Sequence, residues 1–154
     1  MLNLSNSLFT LVGLNLHKIS SFSKLSLLST RVISEGINII QKAGYNEHVL
    51  GSLPNWKTIS LSSKIPSFLR TLIFKKNVRH SAINSMAQDL IMKKRNITEL
   101  DTLNGYILQL AQKNDVKAPY NKSLYDLSRK VFSDEVFEPL SVDETFEIII
   151  SNIK

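Results

Sequence analysis

The 154-residue chain contains no cysteine. That excludes a disulfide framework, a thiolate metal site and a cysteine nucleophile, and it permits a reducing compartment. Glycine is scarce: five residues, never in a Gly-x-Gly pair. A dinucleotide phosphate loop needs such glycines, because backbone must approach the pyrophosphate closely at a strand-to-helix turn. No apolar run reaches the roughly 18 residues needed to cross a bilayer. His17, His48 and His80 are widely separated, so no histidine metal motif exists. No Gly-x-Ser-x-Gly elbow is present, and no Asn-Gly or Asp-Gly turn joins two alternating runs. Asp134-Glu135 and Asp143-Glu144 read as acidic helix ends rather than a glycosidase pair.

What is present is globular. Hydrophobic residues make up 43% and charged residues 21%, which excludes wholesale disorder. The length suits one domain with a real core. The net charge of +6 favours anions, yet the clusters Lys75-Lys76, Arg79-His80 and Lys93-Lys94-Arg95 lack interleaved aromatics. A solvated basic face is expected, without nucleic-acid binding. Residues 1–34 hold eight serines, three basic residues besides His17 and no acid, a composition shared with organellar transit peptides. The same residues also carry a motif and part of a core stripe, which weighs against their removal.

The periodicity is helical throughout. Residues 1–12 are mostly apolar and stop at Gly13. Leu25, Leu28, Val32, Gly36, Ile39 and Ala43 recur at intervals of three and four, a stripe about five turns long, and Gly44 stands where a left-handed cap is wanted. Residues 45–64 read as a loop. Pro66 opens a short helix through Phe74, and another is expected around Ala82 to Met92. Thr98 and Asp101 form a capping arrangement for a helix with Leu100, Leu103, Ile107 and Leu110 buried, ended by Asn114-Asp115. Asn121 reads as the N-cap of the next helix, with Leu124, Leu127 and Val131 inside. Pro139 ends that unit, and Ser141-x-x-Glu144 caps a last helix bearing Phe146, Ile149, Ile150 and Ile153. One all-α domain is expected.

Two stretches carry chemistry. In Asn84-Ser85-Met86-Ala87-Gln88-Asp89, the spacing puts Ser85 and Asp89 on one helix face. In Thr98-Glu99-Leu100-Asp101-Thr102-Leu103-Asn104-Gly105, Glu99 sits at a helix start, where free backbone amides stabilise a carboxylate. Each alone reads as a cap or a surface polar patch.

In this order, with Pro119-Tyr120-Asn121 following, they resemble the C-terminal domain of ketopantoate reductases. Asn3-Leu4-Ser5-Asn6, Leu11-Val12-Gly13-Leu14 and the helix from Ser34-Glu35-Gly36 to Ala43-Gly44 extend the resemblance upstream. It implies a helical domain of the 6-phosphogluconate dehydrogenase C-terminal-like type over residues 1–133, a C-terminal helical extension over 134–154, and an N-terminal Rossmann domain that is absent here or on a separate chain. It implies an NADP-dependent 2-dehydropantoate 2-reductase of pantothenate biosynthesis, taking a 2-keto acid to a 2-hydroxy acid. Asn3, Asn6 and Ser85 would bind substrate. Glu99 would orient the catalytic lysine and sit by the cofactor ribose. That lysine would lie four residues before Asn3, ahead of Met1, and the family glycine between the asparagines is Ser5. The chain alone is therefore expected to bind no NADP, to need no metal, and not to catalyse. A cytoplasmic, membrane-free location is expected, with self-association through an apolar patch ordinarily covered by the missing domain. The alternative is a non-enzymatic helical interaction module or remnant.

Overall fold

The computed structural model describes residues 2–48, 55–78, 84–92 and 99–153. Helices form throughout, and no strand occurs among the described residues. A 3-10 turn, Leu2–Ser5, leads into α1, Asn6–Leu11. The long α2, Phe22–Lys42, follows, then α3, Trp56–Ser62, and α4, Ser67–Val78. A short α5, Ser85–Ala87, runs into a π-helical segment, Gln88–Met92. A second π-helical segment, Asp101–Gly105, opens α6, Tyr106–Lys113. The chain ends with α7, Pro119–Phe132, and α8, Val142–Ser151. Among the described residues no helix is long and apolar enough to cross a membrane.

The long α2 is the pillar of the fold, and the N-terminal turn, α3, α4, α6, α7 and α8 all pack on it. The Ser21 side chain caps it by accepting from the Lys24 N–H at 3.3 Å. Its stripe of Leu25, Leu28, Val32, Gly36 and Ile39 is buried as the spacing requires. At its end Gly44 has φ +84°, its N–H bonds to Gln41 and the Tyr45 N–H to Ile40. This pair of bonds is the Schellman cap, which satisfies two otherwise open carbonyls. The same pattern closes α1 at Gly13 (φ +58°) and α6 at Asp115 (φ +51°).

Gly36 has a second reason to be glycine. A Cβ there would lie 2.4 Å from Leu4 Cδ1. The N-terminal turn therefore rests on α2 at a point where no side chain fits. Leu4, Leu8, Leu11 and Val12 enter the same core as Leu25, Leu28 and Val32, so the serine-rich, acid-free segment is built into the hydrophobic centre. The last helix joins that core through Val142 and Ile149. Ser141 caps it by accepting from the Glu144 N–H. Leu140 N–H donates to the Leu11 carbonyl at 2.8 Å, and Lys24 pairs with Asp143 at 2.6 Å, joining the end of the chain to its beginning.

Several boundaries differ from the sequence reading. The stretch 45–64 is not all loop: Trp56–Ser62 is helical, because the Asn55 side chain caps it on Thr58 N–H and the Glu47 carboxylate accepts from Trp56 N–H. The helix after Pro66 continues past Phe74 to Val78, four residues further. Asn121 is not an N-cap. The helix starts two residues earlier at Pro119, whose missing N–H suits a first turn, and Asn121 is fully buried inside it. Thr98, the proposed capping residue before Asp101, and Ala82 lie outside the described residues.

Candidate functional site

Asn84 organises the region around Ser85. Its extended backbone makes it the N-cap of α5, with Oδ1 accepting from the Ala87 N–H at 2.9 Å. The same oxygen accepts from Thr10 Oγ1 at 2.9 Å, and Nδ2 donates to the Asn6 carbonyl at 3.3 Å. One amide thus fixes the start of α5 onto α1. Ser85 follows directly and is exposed, and its hydroxyl donates to Glu99 Oε2 at 3.2 Å. Glu99 is also exposed, and its carbonyl accepts from Leu103 N–H at 3.0 Å as the next helix begins.

A second amide performs the matching task for the N-terminal turn. Asn104 is fully buried and donates Nδ2 to the Leu4 carbonyl at 3.0 Å. Its Oδ1 is buried without a hydrogen-bond partner among the described residues. Asn104 sits in the π-helical segment Asp101–Gly105, so the turn carrying Asn3 is anchored to the helix that begins just after Glu99.

Of the residues selected from sequence, Ser85 and Glu99 therefore meet directly. Asn6 is brought alongside through its backbone contact with Asn84. Asn3, exposed on the turn, is linked to the group through Leu4 and Asn104. No side-chain hydrogen bond joins Asn3 or Asn6 to Ser85 or Glu99 among the described residues. Between Ser85 and Asp89 the helix passes from α to π at Gln88.

Comparison with known proteins decides the affiliation. The family model described as Ketopantoate reductase PanE/ApbA C terminal matches residues 1–132. The chain belongs to that family. No curated protein and no solved structure matches it at a significant level.

Within this ketopantoate reductase C-terminal domain, other motif residues prove to be supports. The Glu35 carboxylate of α2 accepts from Asn121 N–H at 2.7 Å, Asn121 Nδ2 at 2.8 Å and Tyr120 N–H at 3.1 Å, closing the N-terminus of α7. Asn121 Nδ2 also reaches the Val32 carbonyl at 3.0 Å. Burial pushes the Glu35 carboxyl above its ordinary value, while these N–H donors pull it partly back. Tyr125 donates to Asp101 Oδ1 at 2.6 Å, a bond that raises the phenol above its usual value and fixes α7 on the π-helical segment. Sequence reasoning named Glu35, Asp101, Tyr120 and Asn121 as motif members but missed their roles, and it did not single out Tyr125. The signal for Asn84 was legible, since an asparagine directly before a helix start is a preferred N-cap. Nothing local marks Glu35 or Asn104, whose partners are 85 and 100 residues away.

Proposed function

We propose that this chain is the substrate-side domain of an NADP-dependent 2-dehydropantoate 2-reductase-like oxidoreductase, acting on a small 2-keto acid. The observation that carries the reading is the Ser85 hydroxyl bonded to the Glu99 carboxylate at 3.2 Å, with both residues exposed and tethered to Asn6 through Asn84. In this reading Ser85 and the side chains of Asn3 and Asn6 hydrogen-bond the substrate's oxygens. Glu99 positions a lysine ammonium by charge, holding it protonated and ready to donate to the carbonyl oxygen. In this reading the lysine is supplied by the partner domain.

The chain's fit to NADP is confined to one edge. The exposed Glu99 carboxylate is suited to accept from a ribose hydroxyl, whereas the sequence offers no glycine-rich cradle for the phosphates. When bound, the cofactor supplies hydride to the keto carbon. A Rossmann domain is thus the expected partner, and the chain by itself is expected to be inactive. Residues 1–133 form the family unit in this reading and 134–154 an added helical segment. The working location is the cytoplasm, which the cysteine-free composition permits. The exposed apolar side chains of α4, Phe68, Leu69, Leu72 and Ile73, are the surface on which self-association would rest.

Titration of the isotope-labelled chain with pantoate, followed by amide NMR shifts, tests the reading. Weak, saturable shifts are expected at Ser85 and Asn6, lost in Ser85→Ala. Shifts confined to other residues, or none at all, would refute the substrate roles. NADPH oxidation by the chain alone would refute the need for a partner domain.

A further inference from the structure

Between α2, α3 and α4 lies a cavity of about 490 Å³, within the size range of small-molecule sites. Its walls are chiefly apolar: Ile33 from α2, Ile59 and Leu61 from α3, Ile73 and Phe74 from α4. None of Asn3, Asn6, Ser85 or Glu99 lines it.

One lining residue does not suit such a wall. Arg70 on α4 is only 9% exposed, and its Nε is buried with no hydrogen-bond partner among the described residues. Among the described residues its side chain has one bond, Nη2 to Ser67 Oγ, long at 3.4 Å. No carboxylate forms an ion pair with it among the described residues. A guanidinium keeps its charge in any protein environment, so burial cannot be relieved by losing a proton. An unpaired buried charge is costly, and its remedy is an anion brought to it. The polar neighbours in the cavity, among them Ser29, Thr30, Thr58 and Asn77, are neutral. They can share hydrogen bonds with an anion but cannot neutralise the cation.

We propose that this cavity binds an aliphatic monocarboxylate, its carboxylate on the Arg70 guanidinium and its hydrocarbon tail along Ile33, Ile59, Ile73 and Phe74. A carboxylate matches the planar donor fork of arginine. A single cation set in apolar walls balances one negative charge and not a phosphate's two. This site does not rest on the substrate roles of Asn3, Asn6, Ser85 and Glu99, none of which lines it, although Ile73 also belongs to the exposed apolar face of α4.

The test is calorimetric titration of the 154-residue chain with octanoate below its micelle concentration, beside 1-octanol as the neutral counterpart. One octanoate per chain is expected, with affinity rising about fourfold for each methylene from hexanoate to decanoate. Octanol is expected to bind at least ~10-fold more weakly, since it leaves the guanidinium unpaired. Arg70→Met keeps most of the side-chain volume and removes the charge. It should weaken octanoate by at least ~10-fold and leave octanol unchanged. Ser62→Trp, which fills the cavity from α3 and leaves Arg70 in place, should abolish both. Should Arg70→Met fail to fold by circular dichroism, the acid–alcohol difference and Ser62→Trp decide the matter. Equal affinity for acid and alcohol, unchanged octanoate binding in a folded Arg70→Met, or no saturable octanoate binding by the wild type would each overturn the proposal.

Discussion

Gly36→Ala separates helix propensity from packing at the point where the N-terminal turn meets α2. In an open helix interior this change stabilises by about 0.8–1 kcal/mol, because alanine loses less backbone entropy. Here the new Cβ would fall 2.4 Å from Leu4 Cδ1, and Leu4 is 3% exposed, so its side chain has no free space to move into. Overpacking of this kind costs about 1–3 kcal/mol. The two effects oppose each other, and the net expectation is a loss of roughly 0–2 kcal/mol. Leu4→Ala alone should cost about 2–5 kcal/mol as a core truncation. In that background the clash is gone, and Gly36→Ala should now stabilise by about 1 kcal/mol. The sign of one substitution thus reverses with the identity of a residue 32 positions away. Urea unfolding of the four proteins, followed by far-ultraviolet circular dichroism and Trp56 fluorescence, gives the coupling directly. If Gly36→Ala has the same effect in both backgrounds, the contact with Leu4 is not what holds position 36 to glycine.

Asn84→Ala removes the α5 cap and both tethers to α1 at once. A loss of about 1–3 kcal/mol is expected, with faster hydrogen exchange at the Ala87 amide as its local signature. An unaffected Ala87 amide would exclude the capping role. The Glu35 carboxyl is raised by burial, so its charged form is disfavoured in the folded state. Its contribution to stability should be fully present below the ordinary carboxylate range and fall as pH rises through its folded value. Melting curves of wild type and Glu35→Gln across pH 4 to 8 should show the wild type gaining relative to the variant on acidification; a gain on alkalinisation refutes it. Asp143 behaves oppositely, held low by Lys24 and then Ser20. Its contribution is present at neutral pH and lost as pH falls through its folded value, so Asp143→Asn should flatten the acid limb of the stability profile. An acid limb identical to that of the wild type would show that this pair contributes nothing.

The helical class, the α2 stripe and the stops at Gly13, Gly44 and Asp115 were legible in the chain because each depends on residues within one or two turns. The same is true of the Ser141 cap, and the order of the motifs that mark the family is read along the chain without its folding. Ser85 and Glu99 were nameable from the motif, but their direct bond was not visible in it. Where reading failed, a deciding partner lay outside the local turn. Asn121 is a good N-cap by type, yet Glu35 takes over the helix start, and the buried amide turns inward to Val32. Trp56–Ser62 became helical partly because Glu47 accepts its first N–H. Arg70 looks like any surface cation in a basic chain, and only the packing of α4 on α2 buries it, with no counter-ion among the described residues. Local sequence determines backbone propensity and caps, whose bonds span three to five residues. Tertiary structure alone decides which polar groups are buried and what they meet, since desolvation and partnership depend on segments brought together from 100 residues apart and more.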